Sequence, residues 1–237
     1  MSAAPALVLV AHGTRSTRGV DMIAGLADRV RQVVPTVRVA FVDVLGPSPS
    51  EVLADLDGPA VVVPAFLASG YHVHTDVPRE VEASGHHAVA VTRALGPDPT
   101  LAAIVHERLQ EAGWQPGDAI VLAAAGSSDP RALADVRRGA AMLADATDAP
   151  VHVGYIATGG PRVTEVVAEL RATGHRRVFV ASYLLAQGLF QQRLHTAGAD
   201  GVTEPIGEHR GVVELLVERH RAGVRDLERL RAFHLAG

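Results

Sequence analysis

At 237 residues, 48% hydrophobic and 20% charged, the chain is long enough for one large core or two small ones and has the balance of a folded protein. Its formal net charge of −4 speaks against the basic face of a general nucleic-acid binder. The absence of cysteine removes disulfides, thiolate metal sites and thiol catalysis, and leaves imidazole and carboxylate as metal ligands.

The first residues, MSAAPALVLVAHG, contain a short apolar run without a basic region before it, so the run reads as a strand and not a signal peptide. It leads into a loop with His12, Gly13, Thr14 and Arg15. A helix is expected over residues 19–34, where Val20, Ile23, Ala27, Val30 and Val34 recur at helical spacing. Residues 37–44 form the second expected strand, with Asp43 near its end. Ser48 and Glu51 then have capping-box spacing around Pro49, which predicts a helix to about residue 56. The third strand begins the stretch VVVPAFLASGYHVHTDVP over residues 61–78. Its apolar, β-branched start is that of a strand buried on both faces, and Ala68, Ser69 and Gly70 open a loop that delivers His72 and His74. A short helix, a strand over residues 88–91 and a helix over residues 99–111 complete a βα series, the pattern of a parallel sheet covered by helices.

The order then repeats. Residues 119–124 read as a strand, 131–144 as a helix and 151–157 as a strand. TGGPRVTEVVAEL mirrors LGPSPSEVLADL, and AQGLFQQRLH mirrors ASGYHVHTDV after a strand over residues 177–185. VHERLQEAG and LVERHRAG match as closing helices, each followed to a glycine, Gly113 and Gly223. The expected architecture is therefore α/β, two similar open parallel-sheet domains facing a cleft. Residues 1–115 form the half with the histidines, and residues 116–237 form a degenerate repeat. Where the first half has His12, the second has Ala125; where it has His72 and His74, the second has Phe190 and Gln192. Fold is kept in both halves and imidazoles only in one.

His12 and His72 each follow an expected strand on one edge of one sheet, where ligands bind in open α/β folds. Two imidazoles there can hold a divalent metal or accept protons; the alternative is two unrelated loop histidines. Asp43 adds a carboxylate or caps a loop. If His72-x-His74 is extended, the two rings point to opposite faces, which favours His72. Arg15 and Arg18 are candidates for substrate carboxylates or for a solvated helix start. The remaining nine of the 12 histidines show no convergent spacing, with His195 and His234 among them. Glu51, Glu165 and Asp129 read as helix-start charges. No GxSxG, P-loop or GxGxxG sequence is present, so the hydrolase elbow and the nucleotide phosphate cradles are missing.

Taken in order and with their spacing, AHGTR, FVDVLGPSPSEVL and PAFLASGYHVHTDVP resemble the sirohydrochlorin chelatase family, the CbiX and SirB group of class II tetrapyrrole chelatases. The resemblance spans essentially the whole chain, since long members are also two tandem α/β halves with histidines in one. It implies insertion of Fe2+ or Co2+ into sirohydrochlorin, feeding sirohaem or cobalamin. The metal is then a substrate, no prosthetic group is required, and neither nucleic acid nor membrane is a partner. Residue by residue, the family's HGxR histidine falls on His12, and the histidine before its D-I-P turn falls on His72, with Val77 in place of isoleucine. A glutamate at the second strand's end falls on Asp43, one carbon shorter, and His74 is a secondary ligand candidate. Ser69, Gly70 and Phe190 are expected against the macrocycle, and Arg15 and Arg193 against its peripheral carboxylates. Location is expected to be cytoplasmic and the assembly a monomer or homodimer. The alternatives are a non-catalytic tetrapyrrole or metal carrier on this scaffold, and a hydrolase with one imidazole-bound metal.

Overall fold

The computed structural model describes the backbone of residues 4–236 and the side chains of residues 4–230, so the His234 ring lies outside the described side chains. It contains two four-stranded parallel sheets of the same topology. In the first, β1 (Ala6–Ala11), β2 (Val37–Phe41), β3 (Ala60–Pro64) and β4 (Val89–Val91) take the order β2-β1-β3-β4. In the second, β5 (Ala119–Gly126), β6 (Val151–Thr158), β7 (Val178–Ser182) and β8 (Gly201–Val202) take the order β6-β5-β7-β8. Every residue of β1, β3 and β7 is buried, as the unbroken apolar runs ALVLVA, AVVVP and VFVAS require of strands covered on both faces.

The helices of the first half are α1 (Thr17–Arg31), α2 (Pro49–Ala54) and α3 (Val77–Ala83), with α4 (Pro99–Glu111) spanning the expected residues. The capping box at α2 is formed: Ser48 Oγ accepts from the Glu51 amide at 3.3 Å, and a Glu51 carboxylate oxygen accepts from the Ser48 amide at 2.7 Å. The hydrogen bond from the Ser48 amide, with a smaller contribution from the Ser48 hydroxyl, holds the Glu51 carboxyl below its ordinary range. In the second half, α5 (Pro130–Thr147) is capped by Asp129. It is followed by α6 (Val163–Ala172), α7 (Leu189–Leu194) and the long α8 (Arg210–Ala236). Among the described residues, no helix is long and apolar enough to cross a membrane.

The two sheets reproduce one another in detail. Phe41 N–H donates to the Pro47 carbonyl at 2.9 Å, and Tyr155 N–H donates to the Pro161 carbonyl at 2.9 Å. Gly13 and Gly126 both have φ of 95°. A Cβ would collide with the Asp43 carbonyl at the first and the Thr158 carbonyl at the second, so each first-strand exit needs glycine both for its left-handed backbone and for its close approach.

The closing helices are exchanged relative to the expected division at residues 115/116. By contact density, one unit is Met1–Phe66, Tyr71–Leu95 and Val212–Gly237, and the other is Leu67–Gly70 and Gly96–Gly211. Helix α4 thus belongs with α5 and β7, while α8 belongs with the first sheet. Three contacts fix α8 there. The buried Arg219 guanidinium donates to the Ala94 and Leu95 carbonyls at 3.3 and 3.4 Å, and His220 Nε2 donates to the Pro5 carbonyl at 2.9 Å. Gly223 lies so close to Val61 that a Cβ would overlap a Val61 methyl. Gly223, matched in sequence to the helix-ending Gly113, is therefore an interior helix residue kept small by a close approach.

Candidate active site

Strand β1 lies between β2 and β3, so the chain leaves β1 toward β2 and returns past it to β3. The loops after β1 and β3 diverge there, which opens the crevice where open α/β sheets bind ligands. His12 follows β1 and His72 follows β3 closely enough that both occupy this edge. Their ring centroids are 4.6 Å apart at 78°, edge to face. Phe66, which leaves the end of β3, stacks on His72 at 6.1 Å and lies 6.5 Å from His12. Its other contacts are with the first sheet's core, so one apolar ring anchors both imidazoles to the fold.

The strand ends are tied to one another beneath these rings. Val42 N–H donates to the Ala11 carbonyl at 3.0 Å, Asp43 N–H to the His12 carbonyl at 3.0 Å, and Ala65 N–H to the Val10 carbonyl at 2.7 Å. With the Gly13 approach to Asp43, this fixes the backbone that carries His12. Its ring remains exposed, with Nδ1 3.3 Å from the Gly13 carbonyl.

His72 is held differently from the extended arrangement expected for HVH. Residues His72–Asp76 form a π-helical turn leading directly into α3, with the Val77 amide donating to the His72 carbonyl. Such i→i+5 turns recur at functional sites. The turn brings His72 Nδ1 to 2.7 Å from Asp76 Oδ2. Asp76 is only 6% exposed, and its other oxygen lies 2.9 Å from Arg79. Tyr71, 55% exposed, stands edge-on to His72 at 6.2 Å.

The structure separates the remaining candidates. His74 is exposed. Asp43 lies two residues beyond β2, is exposed, and accepts from the Val44 amide at 2.7 Å. Neither joins the imidazole pair: among the described residues, no group of three or more histidine, aspartate or glutamate side chains could hold a metal ion. Arg15 is exposed on the His12 loop. Ser69 and Gly70 belong by contacts to the second unit, where the Ser69 amide donates to the buried Asp135 carboxylate at 2.8 Å. A Cβ on Gly70 would lie 3.2 Å from Ala132 Cβ. In that unit, too, Tyr183 donates its hydroxyl to the Leu67 carbonyl at 3.1 Å, and burial pushes its pKa well above the ordinary phenol range. Phe190 packs on the second core, with Arg193 over its ring at 5.8 Å.

Two contributors, Phe66 and Asp76, carried no sequence prediction of a role. Asp76 had a readable signal in its i,i+4 spacing from His72, which is a contact distance only if the segment is helical.

The comparisons bear on the fold and the family. SirB from Bacillus subtilis with Fe3+ superposes with a TM-score of 0.81 at 23% identity, covering 96% of this chain and 98% of that one, which establishes a shared fold. A sirohydrochlorin ferrochelatase from Priestia megaterium is 25% identical over 232 residues, covering 89% of this chain and 87% of the relative. A sirohydrochlorin cobaltochelatase from Methanothermobacter thermautotrophicus is 32% identical over 130 residues, 45% of this chain and 91% of the relative, so that shorter protein matches about one half. The CbiX family profile matches twice, over residues 6–112 and 119–222, once per repeat. The chain belongs to the CbiX family.

Proposed function

We propose that the protein inserts a divalent metal ion, Fe2+ or Co2+, into sirohydrochlorin. The observation that carries this reading is the edge-to-face pair of His12 and His72 at the switch point of the first sheet, in a chain whose relatives are a sirohydrochlorin ferrochelatase and a sirohydrochlorin cobaltochelatase.

The reaction replaces two pyrrole N–H protons by one M2+ and releases two H+. It needs a proton acceptor near neutral pH and a ligand that holds the metal briefly and then lets go. Imidazole serves both purposes. A pair of nitrogen ligands suits a metal that is passed on and not retained, since closed four-ligand sites are the structural ones. Such nitrogen ligands accept both ions. In the proposed sequence, one imidazole delivers the metal to the ring nitrogens while the other takes up pyrrole protons. The exposed Val44, Leu45 and Tyr71 supply apolar surface on this unit for a flat macrocycle, and Arg15 is assigned to a peripheral carboxylate.

The test is the absorbance change of anaerobic sirohydrochlorin on adding Co2+, then Fe2+, with and without protein. Metallation faster than the spontaneous reaction at catalytic protein concentration is the expected result. A rate equal to the spontaneous one refutes the proposal.

A further inference from the structure

The first unit buries a carboxylate at a position where the same fold accepts leucine. In the register that pairs Gly70 with Gly188, His72 corresponds to Phe190 and Asp76 to Leu194. Leu194 is 1% exposed within the second core, and Asp76 is 6% exposed. The scaffold therefore does not need a carboxylate there. Burial of a charge is unfavourable unless it is paired, so the reason for Asp76 lies in what it touches. One oxygen meets His72 Nδ1 at 2.7 Å and the other meets Arg79 at 2.9 Å. At these positions, the half that has the imidazole has the carboxylate, and the other half has neither.

We propose that Asp76 is a positioning residue that acts through His72: it accepts the Nδ1–H, fixes the ring's orientation and leaves Nε2 as the nitrogen with a free lone pair. An ionised carboxylate can only accept hydrogen bonds, so at this contact the ring nitrogen is the donor. A histidine whose other nitrogen is tied to a carboxylate is both oriented and made a stronger base or ligand at the free one. Without Asp76, the ring of a half-exposed histidine samples both tautomers and other rotamers, and only a fraction of molecules presents Nε2. The consequence for turnover rests on the metal-insertion reading; the tautomer does not.

The experiment compares wild type with Asp76→Leu, which copies the second half's own solution, and Asp76→Asn, which keeps an acceptor without the charge. Long-range 1H–15N spectra of the metal-free protein, recorded at alkaline pH, report which His72 nitrogen carries the proton. Wild type and Asp76→Asn should show a protonated Nδ1 and a pyridine-like Nε2; Asp76→Leu should lose this preference. In single-turnover Co2+ insertion, Asp76→Leu should be slower by about 10- to 100-fold with sirohydrochlorin affinity unchanged, and Asp76→Asn should recover most of the rate. The proposal is overturned if wild-type His72 carries its proton on Nε2, or if Asp76→Leu keeps the wild-type tautomer. It is also overturned if Asp76→Leu loses the tautomer yet metallates at the wild-type rate. Because the spectra need neither metal nor macrocycle, they decide the role of Asp76 even if wild type proves inactive as a chelatase. Should Asp76→Leu fail to fold, Asp76→Ala, which also removes the acceptor, takes its place and is held to the same outcomes in the spectra and in the rate.

Discussion

Gly223→Ala probes whether α8 covers the first sheet, and its sign depends on the answer. In an exposed helix interior, replacing glycine by alanine stabilises by about 1 kcal/mol. Here the new methyl overlaps one methyl of the fully buried Val61, with the other Val61 methyl and Thr92 Cγ2 each at 3.1 Å. Overpacking of this kind costs about 1–3 kcal/mol, so the net effect should be a loss of about 0–2 kcal/mol. Val61→Ala alone removes two buried methyl groups and should cost about 2 kcal/mol. In that background, the alanine at position 223 occupies vacated space and should restore about 1 kcal/mol. The assay is urea unfolding followed by far-UV circular dichroism on the four proteins of the double-mutant cycle. A Gly223→Ala protein that is more stable than wild type while Val61 is present would refute the placement of α8.

Gly13→Ala and Gly126→Ala make matched substitutions in the two halves. With φ of 95° at both and a carbonyl in the way of either Cβ, each should destabilise by more than about 2 kcal/mol. Only Gly13→Ala moves the backbone of a histidine in the imidazole pair, so at permissive temperature it should lose the larger share of metal insertion. His220 tests a pH effect. Burial holds its pKa below the ordinary value of 6.5, Arg221 adds to this, and the hydrogen bond to the Pro5 carbonyl partly opposes it. The unfolded chain therefore takes up a proton before the folded one, and stability contributed by neutral His220 is lost as pH falls through and below that value. His220→Gln, compared with wild type by urea unfolding at about pH 7.5 and about pH 5.5, should lose less stability on acidification; an equal loss in both would contradict the assignment.

Periodicity and punctuation carried much of the fold. The buried strands announce themselves as unbroken apolar runs, the α2 capping box is local, and α4 ran over the residues its Pro99 start and Gly113 stop predicted. The imidazole pair was legible because topology alone puts the ends of β1 and β3 side by side. What escaped depended on long-range packing. A helix has the same 3.6-residue pattern whichever sheet it covers, so nothing in residues 99–111 or 210–236 told that α4 and α8 are exchanged between units. Gly223 read as a stop because the neighbour that demands a glycine, Val61, is far away in sequence. The π-helical turn escaped because HVHTD has no pattern that separates it from a strand end, and with it went the contact between His72 and Asp76.

The measurement closest to the central claim separates binding from chemistry at the imidazole pair. Sirohydrochlorin affinity and the single-turnover rate of Co2+ insertion would be measured side by side for wild type, His12→Ala and His72→Ala. The account predicts affinities within a few-fold of wild type and, for both variants, rates that fall to the spontaneous value. Wild-type protein that binds the macrocycle without accelerating metallation, or variants that metallate as fast as wild type, would contradict it.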